Sequence, residues 1–412
     1  MLENLLKNRY KDELVKSSYS KDDVIFLLKD LTNIMPDTTL EDKEKMIAQG
    51  VNYSEMISKE SYMNDDVNNL FCEITKEKEQ DIADLIEKLA FRVIEHQKDR
   101  PFQKEKDVLN NTVIVSLARA GTPIGVLLKK YYEYIYDVNV PHYSVSIIRD
   151  KGIDENALKY ILTVYPNKKI VFIDGWTGKG SIGNELKKTL RYFNAENKTN
   201  ISSDLVVLAD PAHTAQVYAT REDICIPNAC LNSTVSGLVS RTIHNKHYIG
   251  VNDFHGAKYY GDLANMDYSN WFIEQITNCF VNFENRDVYK VFKIEQQTEL
   301  QHDREKEAND ENYIKNVIET LNNKILKQEQ FLKYFINKKG EFIETDYTKL
   351  KLSIGETSRT VLRRSPKLII VNNLKDENLK FVLYMANQRK VDIIEYSTLE
   401  KETGYKCISF LI

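Results

Sequence analysis

The stretch Val171-Phe172-Ile173-Asp174-Gly175-Trp176-Thr177-Gly178-Lys179-Gly180-Ser181-Ile182 concentrates residue types that can hold an anion. Apolar strand residues deliver one carboxylate, Asp174, to the strand end. Gly175, Gly178 and Gly180 let the backbone turn tightly around a bound group, and the N–H groups of the first helical turn aim at it. Thr177 and Ser181 add hydroxyl donors, and Lys179 adds a positive charge. A strand-end carboxylate such as Asp174 suits sugar hydroxyls or a magnesium ion. An ATPase loop needs four residues between its first glycine and Gly-Lys-Ser/Thr. Here only Trp176 and Thr177 separate Gly175 from Gly178, and Gly180 follows Lys179, so that reading is weak.

Two further groups of residues could do chemistry. Asn232, Ser233, Thr234, Ser236, Ser240, Arg241 and Thr242 form a polar run around Gly237, followed by Asp253-Phe254-His255-Gly256. As an acceptor pocket, Ser236 and Arg241 would meet an anionic group and His255 would serve as general acid or base near neutral pH. Helix caps and turns built from Ser, Thr and Asn explain the same run equally well. Cysteine chemistry needs a thiol of lowered pKa within reach of a histidine. Cys230 with His244 or His255 is the pair to nominate, although apolar neighbours make Cys230 read as packing.

The elements that must position these groups follow from hydrophobic patterning. Residues 1–108 read mainly as helix. Ser20 is a candidate N-cap for Asp22 to Leu28, and Ile82, Leu85, Ile86, Leu89, Val93 and Ile94 recur at helical spacing. Residues 109–280 change texture. The strands Thr112–Leu117, Val138–Ile148, Lys169–Asp174 and Asp204–Asp210 alternate with helices at Ile124–Tyr134 and Ile182–Tyr192. Such alternation implies an α/β domain with a parallel sheet covered on both faces, whose ligand sites lie at the C-terminal strand ends. Residues 281–336 read as a charged helical connector, with Lys290, Lys293, Glu295, Asp303, Arg304, Glu305 and Lys306 on a solvated face. Residues 337–412 read as a smaller α/β unit, with strands at Leu368–Val371 and Val391–Ile394 and a helix at Glu377–Gln388.

The strand, acid and Thr-Gly-x-Gly-Ser turn resemble the phosphoribosylpyrophosphate (PRPP) loop of type I phosphoribosyltransferases. Ser116-Leu117-Ala118-Arg119-Ala120-Gly121-Thr122-Pro123 resembles their pyrophosphate loop, usually written Ala-Arg-Gly-Gly. Across roughly residues 20 to 275 the chain resembles a phosphoribosyltransferase-like family labelled cysteine protease StiP, associated with bacterial tellurium-resistance and stress gene clusters. The segments carrying this include Tyr53-Ser54-Glu55-Met56, His142 to Arg149, Pro227 to Thr242 and Asp253 to Ala257.

The resemblance implies a type I phosphoribosyltransferase-like parallel-sheet domain and a set of roles. Gly175, Thr177, Gly178, Lys179, Gly180 and Ser181 would hold the ribose phosphate, and Asp174 the ribose hydroxyls and Mg2+. Arg119, Ala120 and Gly121 would meet pyrophosphate. Arg149, with Asp150 and Lys151, would lie on a loop closing over the site. Asp174 and Arg149 would carry catalysis, joined by His255, which residue type alone nominates as general acid or base. The usual motif has two adjacent acids, whereas the first position here is Ile173.

In the last unit, Gly355-Glu356 opens a helix ending in Arg363-Arg364. This resembles the RNA-binding fold shared by Pelota and the kink-turn-binding ribosomal proteins. The resemblance implies that Glu356, Arg359, Arg363 and Arg364 contact RNA. Gly355 stands where an asparagine often precedes the acid.

Composition bounds the rest. At 412 residues, 42% hydrophobic, the chain has material for two or three cores, and its net charge of −4 argues against a surface that coats nucleic acid or membrane throughout. Five scattered cysteines without a CxxC pair suggest neither zinc site nor disulfide framework. A charged N-terminus and the lack of an apolar run near ~20 residues predict no membrane segment and a cytoplasmic location. The expectation is therefore a PRPP- and magnesium-dependent transferase acting on a base-like acceptor and coupled to RNA. A sensor or adaptor that binds a nucleotide and RNA without turnover is the alternative, and a cysteine protease a third reading.

Overall fold

The computed structural model describes residues 14–39, 62–284, 312–345 and 347–411, with residues 42, 45–46, 49–57, 60, 286 and 292 between them. The charged residues of the expected connector, from Lys290 to Lys306, lie outside the described residues, as do residues 1–13. The chain divides into two compact units that are not continuous in sequence. The first comprises residues 1–175, 181–208 and 232–285; the second comprises 176–180, 209–231 and 286–412.

The first unit is built on a parallel sheet. Five of the sheet's six strands run in the order Ile25–Phe26, His142–Val145, Thr112–Leu117, Lys169–Trp176 and Leu205–Ala209. Ile114 pairs with His142 on one side and Val171 on the other, both in parallel register. Every residue of Thr112–Leu117 is buried, as a largely apolar run led by four β-branched residues in a parallel sheet requires. The alternation of strand and helix legible in the sequence thus produces the expected sheet.

Helix Asp65–Gln97 starts at Asn64, whose side chain accepts from the Val67 amide at 3.0 Å. Its buried stripe includes Ile82, Ile86, Leu89 and Val93. The stripe packs against helices Gly121–Tyr136 and Ser269–Asn278. Nearby, the Tyr131 and Phe280 rings meet edge-on at 5.4 Å.

One expected helix is absent. After Ser20 the chain makes a single turn, with the Asp23 and Val24 amides bonded to the Ser20 carbonyl, and then enters strand Ile25–Phe26. Ile25 pairs with Tyr143. The run Val24 to Leu28 is short and continuously apolar. Periodicity cannot separate strand from buried helix in such a run, and a vacant sheet edge decided the outcome.

The second unit contains an α/β module with strand order Leu350–Leu352, Cys407–Phe410, Leu368–Val371, Asp392–Glu395. The last two strands are parallel, and Cys407–Phe410 runs antiparallel to both of its neighbours. Leu321, Ile325, Phe331, Leu350, Leu368, Ile370, Tyr405 and Phe410 form its core. Ser353 accepts from the Glu356 amide at 3.3 Å and so opens helix Ile354–Arg363. That helix packs against Lys380–Gln388. Among the described residues, no helix is long and apolar enough to cross a membrane.

Candidate functional site

The strand carrying Asp174 continues to Trp176 before the Gly-rich turn begins. In the turn, the Thr177 amide donates to the Ala209 carbonyl at 3.0 Å, and the Thr177 hydroxyl to Asp210 Oδ1 at 2.5 Å. Asp210 is fully buried and also accepts from the Thr214 amide at 3.0 Å, the Ala215 amide at 3.1 Å and Arg221 Nη1 at 2.8 Å. Burial pushes its carboxyl up to about 6, against the pull of Arg221 and the other donors. The Arg221 guanidinium in turn lies 4.2 Å from the Tyr218 ring.

Lys179 Nζ donates to the Leu350 carbonyl at 2.9 Å and to the Tyr347 carbonyl, and sits 3.9 Å from the Tyr347 ring centre. The Tyr405 hydroxyl donates to the Gly178 carbonyl at 3.0 Å. The hydroxyl and the ammonium expected to hold a phosphate are therefore engaged by the protein itself.

Trp176 packs on the start of helix Ile354–Arg363. It is 9% exposed, its Nε1 donates to Glu356 Oε1 at 3.3 Å, and the Arg359 guanidinium stacks 5.1 Å from its ring. A Cβ added to Gly355 would lie 2.8 Å from Trp176 Nε1 and Cε2. A Cβ on Gly178 would lie 2.5 Å from Glu356 Cγ. Real Cβ atoms do not approach that closely, so glycine at both positions is what allows the turn to meet the helix. Of the four residues expected to contact RNA, Glu356 and Arg359 are engaged with the turn. Arg363 and Arg364 are exposed.

The other expected phosphate residues lie in the first unit. Asp174 is half-buried, and its Oδ1 accepts from the Gly175 amide at 2.8 Å. Ala120 precedes helix Gly121–Tyr136, and an added Cβ at Gly121 would collide with the Ile173 carbonyl. The Ala118–Arg119 peptide is cis. Arg119 is buried, pairs with Glu60 and donates to the Val239 carbonyl at 3.0 Å. Glu60 also accepts from the Ser233 amide at 3.0 Å. Arg149, Asp150 and Lys151 turn the hairpin that pairs Ile148 with Gly152, and the Asp150 amide donates to Glu185 at 3.0 Å. Ser181 opens helix Ser181–Asn197. Among the described residues, no group of three or more His, Cys, Asp and Glu could hold a metal ion. Asp174 would have to hold magnesium with water and ligand oxygens.

The residues expected in an acceptor pocket take part in the folding of the first unit. Ser236 is buried and its hydroxyl donates to the Asn232 carbonyl at 2.5 Å. Arg241 Nη2 donates to the Tyr53 carbonyl at 2.6 Å and to the Met56 carbonyl, holding the 53–56 turn. His255 is buried, with Nδ1 2.8 Å from the Ser146 hydroxyl and its ring 4.7 Å from His244. Its amide donates to Asp154. Burial, with His244 beside it, pulls the His255 imidazole down to about 3, so the ring stays neutral near pH 7. Burial likewise pushes Asp154 up to about 6.

The cysteines separate into two groups. Burial raises the pKa of Cys72, Cys279 and Cys407, which disfavours the thiolate a nucleophile needs. Cys225 and Cys230 are buried in the second unit with their sulfurs 3.7 Å apart.

Several anchoring residues were not singled out from the sequence. Glu60 lies far from Arg119 along the chain, and Asp223 accepts from the Ile354 amide at 2.8 Å and the Lys406 amide at 2.9 Å. Neither had a local signal. Trp176 had one: a large aromatic inside a glycine turn is unnecessary for phosphate binding and asks for a packing partner.

The family model described as tellurite-like stress resistance cysteine protease StiP matches residues 17–277. The PELOTA RNA-binding domain model matches residues 333–412. A protein of Acinetobacter baylyi named "Cysteine protease StiP" is 31% identical over 387 residues, covering 91% of this chain and 89% of that protein. These names correct the reading as a PRPP- and magnesium-dependent transferase. The family and the relative are both described as a cysteine protease, and neither description mentions phosphoribosyl transfer. The internal engagement of Thr177 and Lys179 is the physical counterpart of that correction. A Gly-rich strand-to-helix turn has the same local composition whether it embraces a phosphate or another part of its own chain.

Proposed function

The chain belongs to the family described as tellurite-like stress resistance cysteine protease StiP, and on that premise we propose a stress-resistance protein that binds structured RNA through its C-terminal module. The carrying observation is the exposed pair Arg363 and Arg364 at the end of helix Ile354–Arg363, within the residues matching the RNA-binding domain. Guanidinium groups offer forked donors suited to phosphate oxygens, and both side chains lie at the solvent surface where a polyanion would approach. Gel-shift titration of the intact chain with a structured RNA should give saturable binding that weakens steeply with salt. Salt-independent retention, or none at low salt, would remove this reading.

A second reading, thiol peptidase, is favoured by the family description and the relative's name. Cys230 is the thiol assigned to it here, being within the matched residues and beside Cys225. The intact chain should then cleave an unfolded protein substrate such as casein. Cleavage should disappear in Cys230→Ala and persist in Cys72→Ala. Activity that survives Cys230→Ala would transfer the role to another residue.

A further inference from the structure

Helix Ile354–Arg363 has two differently occupied surfaces. Near its start, Trp176 stacks on Arg359 at 5.1 Å, donates to Glu356 at 3.3 Å and lies so close that residue 355 has no room for a side chain. Gly178 packs on the aliphatic part of Glu356, and the Tyr405 hydroxyl holds Gly178 in place at 3.0 Å. The indole therefore occupies one side of both Glu356 and Arg359, which stay only partly exposed.

The helix end is arranged differently. Arg389, which follows helix Lys380–Gln388, donates through Nη2 to the Leu362 carbonyl at 2.7 Å. That bond brings the ends of the two helices together. Arg363 and Arg364 follow the accepting carbonyl, and Lys390 follows the donor; all three are exposed. Positive side chains at these ends also oppose the negative poles of both helices, yet this stabilisation does not require them to be withheld from solvent.

We propose that RNA is taken by this joint end of the two helices, through Arg363, Arg364 and Lys390 meeting the phosphate backbone, while Trp176 masks the Glu356 and Arg359 face. The proposal rests on the RNA-binding reading above and deepens it. The partner recognised in this state is an RNA backbone of suitable shape rather than a particular base sequence, because the exposed groups are point charges and forks that suit phosphate. Removing the mask would free the Arg359 guanidinium from the indole and add it to the phosphate-binding surface.

The test uses the intact chain in gel-shift titrations against a kinked hairpin RNA and a straight duplex of equal length, over a range of salt. The wild type should bind both within about twofold of each other. Arg363→Ala with Arg364→Ala should weaken both about tenfold or more and reduce the salt slope by about 2. Glu356→Gln should change neither. Trp176→Ala should bind both RNAs more tightly than the wild type, and adding Arg359→Ala should erase that gain. Should Trp176→Ala fail to fold, the arginine and Glu356→Gln results decide alone, because those side chains can change without opening a cavity. Weakening by Glu356→Gln as large as that of the arginine pair would overturn the masking. Unchanged binding in the arginine pair would overturn the assigned surface while leaving RNA binding standing. Failure of the wild type to bind either RNA would instead remove the RNA-binding reading, and the proposal with it.

Discussion

Gly355 and Trp176 are fitted to each other: the indole occupies the space that any side chain at residue 355 would need, with 2.8 Å between its Nε1 and an added Cβ. The indole Nε1 also donates to Glu356. The departure from the RNA-binding pattern noted at Gly355 is therefore a packing requirement of this chain.

Gly355→Ala should cost about 1–3 kcal/mol, because the extra carbon must push the indole or the helix aside in a packed region. Gly355→Asn should cost more. The check is a chemical-denaturation midpoint together with tryptophan emission, in which Trp176 should shift to the red while Trp271 supplies a constant background. Unchanged stability and emission in both variants would contradict the fit.

Asp223, in the segment that follows strand Val217–Thr220, accepts from the Ile354 and Lys406 amides, and burial pushes its carboxyl up to about 7. A carboxyl that holds its proton better in the folded chain than in the unfolded chain contributes most at low pH. Its contribution declines as pH rises from about 4 to about 7 and then levels off. Asp223→Asn removes that titration. Compared with wild type, the variant should gain stability across this window by up to roughly 4 kcal/mol. Urea midpoints at pH 4.5 and pH 7.5 measure the difference, and a pH-independent gap between the proteins would refute it.

His255 carries the opposite sign. Its imidazole is pulled down to about 3, so between that value and about 6.5 the unfolded chain binds the proton and the folded chain does not. Stability is present above pH 6.5 and is lost as pH falls, by roughly 3 kcal/mol at pH 4. His255→Asn keeps a polar atom near the Ser146 hydroxyl and should flatten this acid limb relative to wild type. Buried His142, also pulled down to about 3, leaves a residual acid limb in the variant. An acid limb identical to that of wild type would show that His255 titrates elsewhere.

Arg241→Ala should release the turn at residues 53–56, whose Tyr53 and Met56 carbonyls lose their guanidinium donor. A cost of about 1–3 kcal/mol is expected for those stranded acceptors, with faster amide hydrogen exchange confined to that turn and its neighbours. Were Arg241 a ligand-holding side chain instead, the variant would keep its stability and its exchange pattern.

How much of this could be read from the chain alone depended on the range of the interaction concerned. The runs Thr112–Leu117 and Lys169–Ile173, with the stripe Ile82, Ile86, Leu89 and Val93, specify strands and a helix because side-chain periodicity is a local property. Val24 to Leu28 escaped that logic, since a short, wholly apolar run is equally at home in either element and the edge beside Tyr143 decided.

Residue types likewise announced a turn able to bind an anion between Asp174 and Ser181, but not what would fill it. Only the tertiary structure brought Asp210 to Thr177, Tyr347 to Lys179 and Glu356 to Trp176. Glycines, hydroxyls and a lysine encode a capacity for close approach and hydrogen bonding, and that capacity is indifferent to whether the partner is a phosphate or a distant stretch of the same chain. Which partner it meets is a matter of long-range packing, and local sequence carries no record of it.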